Sequence, residues 1–129
     1  MNVEPIVESL ELVAERLGDP APQVYARLFA RYPQTEALFA RDMNGAVRGE
    51  MLAVTLKSLL DLAEDGPLGA NMIIAERVNH GGFDVPPDVF RQFYPIMAET
   101  FREALGADWT PAMTAAWDEL LGRIADLTA

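Results

Sequence analysis

A chain of 129 residues, half of them hydrophobic, has the length of one domain and enough apolar surface for a core, so we predict a single domain over residues 1–129. Ten Lys and Arg against twenty Asp and Glu give a formal net charge of −10, which opposes binding to nucleic acids and to anionic membranes. The lack of cysteine excludes disulfides, iron–sulfur clusters and cysteine-ligated zinc, and the lack of a long apolar run or a signal-peptide pattern leads us to expect a cytoplasmic protein.

Seven helical segments are predicted from the spacing of apolar residues, which recur every three or four positions, and from the Gly and Pro residues between segments. No stretch alternates apolar and polar residues as a strand would, so we predict an all-α bundle of six or seven helices. Gly81-Gly82 is expected to stop the fifth segment. In chain order the segments are Asn2–Leu17, Pro22–Tyr32, a short one ending at Leu38-Phe39, Val47–Ala63 after a loop at 42–45, Leu68–His80, a long helix from Pro86-Pro87 to Gly106, and one opened by Thr110-Pro111.

The only histidine, His80, is the residue whose chemistry needs explaining. The sequence has no Gly-rich phosphate loop, and one histidine without cysteine cannot complete an ordinary zinc site. In the last turn of a helix, a histidine is ordinarily a surface residue favoured by the helix dipole. A haem, however, needs one axial nitrogen from the protein and a large apolar pocket, which a helical chain rich in Leu, Phe and Met can supply. Both interpretations stay open at this point.

Several motifs occur in an order that extends from Val24 to Leu127. In chain order they are Tyr25, Leu28-Phe29, Pro33, Leu38-Phe39, the stretch 48–56 that begins with Arg48, His80 at 32 residues beyond Arg48, Val85 five residues later, Tyr94-Pro95-Ile96, Ala104-Leu105-Gly106 and Ala116-Trp117. This arrangement resembles the bacterial single-domain globins and the globin domain of flavohaemoglobins. The resemblance implies a globin fold, with six or seven helices around a pocket for haem b (iron protoporphyrin IX).

The resemblance also implies roles for individual residues. His80 would bind the iron through one ring nitrogen, while its other N–H donates to a backbone carbonyl. Phe39 would pack against the macrocycle, and Tyr25 would stand over the distal face and donate a hydrogen bond to dioxygen. As alternatives, Phe39 and Tyr25 are ordinary core aromatics. The remaining residues assigned to the haem pocket are Leu52 on the distal side, Val85, Tyr94 and Met97.

Three features depart from the family pattern. The distal position holds Arg48, where the family usually has Gln or His. This guanidinium could reach a haem propionate, gate ligand entry, stabilise an anionic ligand, or simply be solvated. The segment 86–93 is about four residues longer than is usual in the family, which affects where Tyr94 lies. The carboxylate that pairs with the proximal tyrosine and histidine in flavohaemoglobins would fall beyond Ala129, so that proximal arrangement is expected to be incomplete.

Two functions follow from these expectations. The first is a haem globin that binds dioxygen or another diatomic gas, with nitric oxide dioxygenase or peroxidase-like activity as an extension. Because the sequence has no flavin or nicotinamide domain, such redox activity would need an external reductase. The alternative is a haem-free globin-fold sensor or interaction module. The oligomeric state stays open, with a homodimer as one arrangement, because globin helices can pair through several faces.

Overall fold

A computed structural model describes residues 1–82 and 85–129, and these residues form helices joined by short turns. No strand occurs within them, so the all-α prediction is confirmed. The helices are α1 Glu4–Leu17, α2 Ala21–Arg31, a 3-10 helix Pro33–Phe39, α3 Ala46–Ala63, α4 Pro67–Gly82, α5 Pro87–Leu105, a 3-10 helix Gly106–Asp108 and α6 Pro111–Leu127.

Most helix ends fall at the predicted Gly, Pro and Thr residues. α1 and α5 end at Gly18 and Gly106, whose φ angles of 67° and 52° lie in the left-handed region that glycine adopts without strain. At the start of α6, the Thr110 hydroxyl accepts a hydrogen bond of 3.1 Å from the amide of Met113, and Pro111 occupies the first helical position. These ends are therefore local properties of the sequence.

The end of α4 differs from the prediction, because the helix continues through Gly81 and Gly82. Glycine inside a helix costs about 1 kcal/mol relative to alanine but does not forbid the helical conformation. Beyond the helix, the amide of Val85 donates to the carbonyl of His80 at 3.1 Å. His80 consequently lies inside a regular helix, and the residue four positions earlier presents its carbonyl to His80 in a fixed position.

α5 is the helix around which the others pack, since it contacts α1, α2, α4 and α6. α3 packs mainly against α4. The close approach of these two helices depends on Gly69, because a Cβ there would collide with the backbone of Ser58 and Leu62. The largest fully buried side chains are Ile6, Leu52, Leu59, Ile73, Ile96, Met97, Phe101, Leu105, Met113, Trp117, Leu120 and Ile124.

Apolar side chains are also exposed, mainly on the side of the molecule that α3 and α4 form. Val47 at the start of α3 is 53% exposed, and α4 exposes Leu68, Ile74 and Val78. In the part of the chain that the structure describes, no helix is long and apolar enough to cross a membrane.

Candidate functional site

A cavity of about 420 Å³ lies between α2, α3, α4 and the first half of α5. This volume is within the range of about 300–1,000 Å³ that small-molecule and cofactor sites occupy. Its wall is mostly apolar and aromatic. The lining residues are Tyr25, Leu28, Thr35, Leu38, Phe39, Ala46, Val47, Glu50, Met51, Val54, Thr55, Ser58, Ile73, Glu76, His80, Val85, Val89, Phe90, Phe93 and Tyr94.

Four aromatic rings form one wall of this cavity and the region behind it. The Tyr25 ring lies 5.3 Å from Phe39, edge to face, and 5.4 Å from Phe93, measured between centroids. Phe29 lies behind them, 5.7 Å from Phe39. Such spacings are those of favourable aromatic pairs, which hold one another in position. The wall is therefore a preformed apolar surface made of mutually tilted rings.

His80 lies on the cavity wall with its ring orientation fixed. Its Nδ1 is 2.7 Å from the carbonyl oxygen of Glu76, one helical turn earlier, and its ring is 5.0 Å from that of Phe90. A carbonyl can only accept a hydrogen bond, so Nδ1 carries the proton. In the neutral ring, Nε2 then has a free lone pair. Nε2 has no hydrogen-bond partner within residues 1–82 and 85–129.

Glu76 also places its carboxylate beside His80, a contact that the motif order does not predict. Its Oε2 lies 3.5 Å from Nδ1 of His80, and the residue lines the cavity. The expected proximal carboxylate was assigned to a position beyond Ala129. The helical spacing of four residues between Glu76 and His80 was the available signal, because it places both side chains on one face of α4.

Two buried tyrosines, Tyr25 and Tyr94, contribute hydroxyl groups to the same cavity. They are only 2% and 4% exposed, and neither hydroxyl has a hydrogen-bond partner among the described residues. Burial raises the pKa of both phenols well above the usual value, and the Glu76 carboxylate raises that of Tyr94 further. Both are therefore neutral donors at pH 7. A ligand or water in the cavity can accept hydrogen bonds from these two hydroxyls.

Arg48 is held outside the main cavity. Its Nε lies 3.0 Å from Oδ2 of Asp42, and its Nη2 donates to the Asp42 carbonyl at 2.8 Å. The Asp42 carboxylate also accepts from the amides of Val47 and Arg48 at the start of α3. Burial disfavours the Asp42 charge, but these hydrogen bonds outweigh it and lower the pKa of the carboxyl group. Arg48 borders a neighbouring groove that Tyr25 and Phe39 share with the cavity.

The face of α3 that meets the cavity is one residue out of register with the expected one. Val47, Met51 and Val54 line the cavity, whereas Leu52 is 1% exposed and packs into the core. Met97 is likewise fully buried in the core and is not a lining residue. The structure thus brings Tyr25, Phe39, His80, Val85 and Tyr94 to one cavity, but not Arg48, Leu52 or Met97. The face of α3 that carries Leu52, Leu59 and Leu62 packs into the core. The face that meets the cavity carries polar side chains, such as Glu50 and Thr55, as well as apolar ones.

The cavity can be tested for fit to a haem. Its apolar and aromatic wall suits a flat macrocycle, and the free Nε2 of His80 is the donor that a haem iron takes as an axial ligand. The second nitrogen of the ring is already bonded to a carbonyl, which is how a metal-binding histidine is usually oriented. The residues present therefore fit the macrocycle and the iron.

A comparison with protein families gives one match: a family model described as Globin matches residues 22–127. The match runs from the second residue of α2 to the end of α6 and includes every residue that lines the cavity. Among curated proteins and among solved structures, the chain has no match.

Proposed function

The chain belongs to the globin family, and from this premise we propose that it binds haem at His80 and, with it, a diatomic gas. Globins generally bind haem and diatomic gases. The observation that carries the proposal is the imidazole of His80, whose Nδ1 is bonded to a carbonyl 2.7 Å away while its other nitrogen is free beside an apolar cavity. The likeness to bacterial single-domain globins is a finer proposal that rests on the motif order.

The haem would be held by His80 and by apolar contacts. Phe39, Phe93 and Val85 offer contacts to the macrocycle, and Val47, Met51 and Val54 offer contacts from α3. Because the sequence contains no cysteine, thioether attachment is excluded, and we propose a non-covalent haem b. When bound, haem supplies an iron centre that takes up a diatomic gas.

The chain's own residues set the conditions in the cavity. The carbonyl of Glu76 keeps the His80 ring in one tautomer and one orientation. The mostly apolar wall offers few hydrogen-bond partners to water. Tyr25 offers a neutral hydroxyl that needs a partner, so it is the residue we expect to donate a hydrogen bond to a gas ligand. Nitric oxide dioxygenation would be an extension of this chemistry, with electrons from a separate reductase.

The experiment is an absorption spectrum of the purified chain with and without added hemin. We expect stoichiometric uptake by the wild type and an intense haem band. His80→Ala should lose the band or shift it strongly, whereas Asn79→Ala, an exposed neighbour outside the cavity, should behave as the wild type. Equal hemin affinity in wild type and His80→Ala would refute ligation by His80.

A second candidate, a haem-free globin-fold module, is favoured by one observation. The charged side chains lining the described cavity are two carboxylates, Glu50 and Glu76, besides the titratable His80, and no Lys or Arg is among them. A haem with two anionic side chains gains no counter-charge from such a wall. If the wild-type chain takes up no hemin but keeps its helical circular dichroism spectrum, this candidate replaces the first one.

A further inference from the structure

The mouth of the cavity is formed by the residues that both line it and are exposed to solvent. Leu38 and Val47 are each 53% exposed, and Ala46 and Glu50 are exposed beside them. All four belong to the end of the 3-10 helix 33–39 or to the first turns of α3. A group of a ligand that has to stay in water can lie at this opening.

The charge at this mouth is negative and has no local compensation from the cavity wall. Glu50 has no ion pair within the described residues, and Glu76, whose side chain is 41% exposed, adds a second carboxylate to the wall. The cations closest to Glu50 in sequence, Arg41, Arg48 and Lys57, are not lining residues, and Arg48 is paired with Asp42. The chain as a whole also carries a formal net charge of −10.

A haem b carries two carboxylate side chains, which remain at the solvent edge because burial of a charge is costly. In this cavity they would face Glu50 rather than a cation. We propose that Glu50 is a specificity-determining residue that disfavours free porphyrin carboxylates, so that the cavity retains haem weakly and accepts a porphyrin with neutral side chains better. This inference rests on the proposed function, since it presumes that a porphyrin occupies the cavity.

The expected effect is modest, because Glu50 is exposed and water screens its charge. Pairs of exposed charges contribute about 0.2–1 kcal/mol, which corresponds to a change in affinity of up to about fivefold. Glu50→Lys reverses the charge, so it should roughly double the change in the logarithm of the hemin affinity. At 1 M salt, where the screening length is about 3 Å, the effect should largely disappear.

The test compares hemin with hemin dimethyl ester, in which both carboxylates are neutral. Binding of each is followed by absorption, and haem loss is followed by transfer to excess apomyoglobin. The variants are Glu50→Gln, Glu50→Lys and the control Glu119→Gln, which removes one exposed carboxylate from α6, a helix that contributes no lining residue. The measurements are made at about 10 mM salt and at about 1 M salt.

We expect Glu50→Gln to bind hemin about two- to fivefold more tightly and to release it more slowly than Glu119→Gln, and Glu50→Lys to extend the change in the same direction. The affinity for the dimethyl ester should stay unchanged in all variants. If hemin and ester respond alike, or if Glu50→Gln matches Glu119→Gln, the inference is wrong while haem binding stands. If the wild type binds neither porphyrin, the proposed function itself fails.

Discussion

The side of the molecule built from α1 and α6 differs from the side built from α3 and α4 in how its polar groups find partners. Between α1 and α6, the indole N–H of Trp117 donates to Ser9 Oγ at 2.9 Å, and that hydroxyl donates to the Ile6 carbonyl at 2.7 Å. Around the cavity, the hydroxyls of Tyr25 and Tyr94 have no such partners among the described residues. The polar groups of the first side are paired with one another, whereas the two tyrosine hydroxyls of the second side remain available to a ligand or to water.

The apolar packing of the two sides differs in the same way. On the α1–α6 side, Ile6, Met113 and Trp117 are at most 1% exposed. Leu38 and Val47, by contrast, are half exposed at the mouth of the cavity. The difference suggests that the α1–α6 side carries much of the stability of the chain without a ligand, and the following predictions test this comparison.

The largest expected effect is on stability and comes from Trp117→Ala. Removal of this buried ring should lower the free energy of unfolding by about 3–5 kcal/mol, because it leaves a cavity and unpairs Ser9. The matched change Phe93→Ala on the cavity wall should cost less than half as much in the haem-free chain, since one side of that ring already borders empty space. Urea denaturation measures both, and equal losses would contradict the comparison.

Hemin should stabilise the two sides unequally. At a free concentration of 100 times its Kd, a ligand adds about 2.7 kcal/mol to the stability of the folded state. Hydrogen exchange with and without hemin should show the largest added protection in α3 and α4, because we expect these helices to open locally when the cavity is empty. α1 and α6 should gain least. Uniform protection along the chain would mean that the cavity side is already as rigid as the α1–α6 side.

Loss of a single hydroxyl should affect stability on one side only. Ser9→Ala leaves the buried indole N–H of Trp117 without an acceptor, which costs about 1–3 kcal/mol. Tyr25→Phe removes a hydroxyl that has no protein partner, so the free energy of unfolding of the haem-free chain should stay the same or rise slightly. Thermal denaturation of both variants checks this, and a loss in Tyr25→Phe as large as in Ser9→Ala would show that its hydroxyl is already bonded.

The smallest expected effect is pH-dependent and lies at the start of α3. The folded-state pKa of Asp42 is below its usual value, so the ionised carboxylate stabilises the fold above about pH 4 and this contribution is lost as the pH falls through the lowered pKa. At pH 7, Asp42→Asn should lower the Tm by about 3–5 °C.

The control for this prediction is Asp118→Asn, which changes an exposed carboxylate on α6. The difference in Tm between wild type and Asp42→Asn should shrink below about pH 4, whereas Asp118→Asn should follow the wild type throughout. A difference that stays constant down to pH 2 would show that the hydrogen-bond geometry of Asp42, and not its charge, stabilises α3.

The helices and the iron-binding candidate could be predicted from local signals. Gly18, Gly106 and Thr110 set helix ends through backbone conformations and hydrogen bonds to residues near in sequence. His80 was found because it is the only histidine. The sequence does not predict that α4 continues through Gly81 and Gly82. Glycine disfavours the helix only weakly, and the hydrogen bonds of the helix outweigh this preference.

The sequence by itself therefore determined the all-α class, most helix boundaries and the identity of the axial histidine candidate. Only the tertiary structure decided which face of α3 meets the cavity, that Arg48 pairs with Asp42, and that Glu50 and Glu76 are the carboxylates of the wall. The physical reason is that helical spacing defines faces but does not say what each face will touch. That choice depends on how helices distant in sequence, such as α3 and α6, pack against each other.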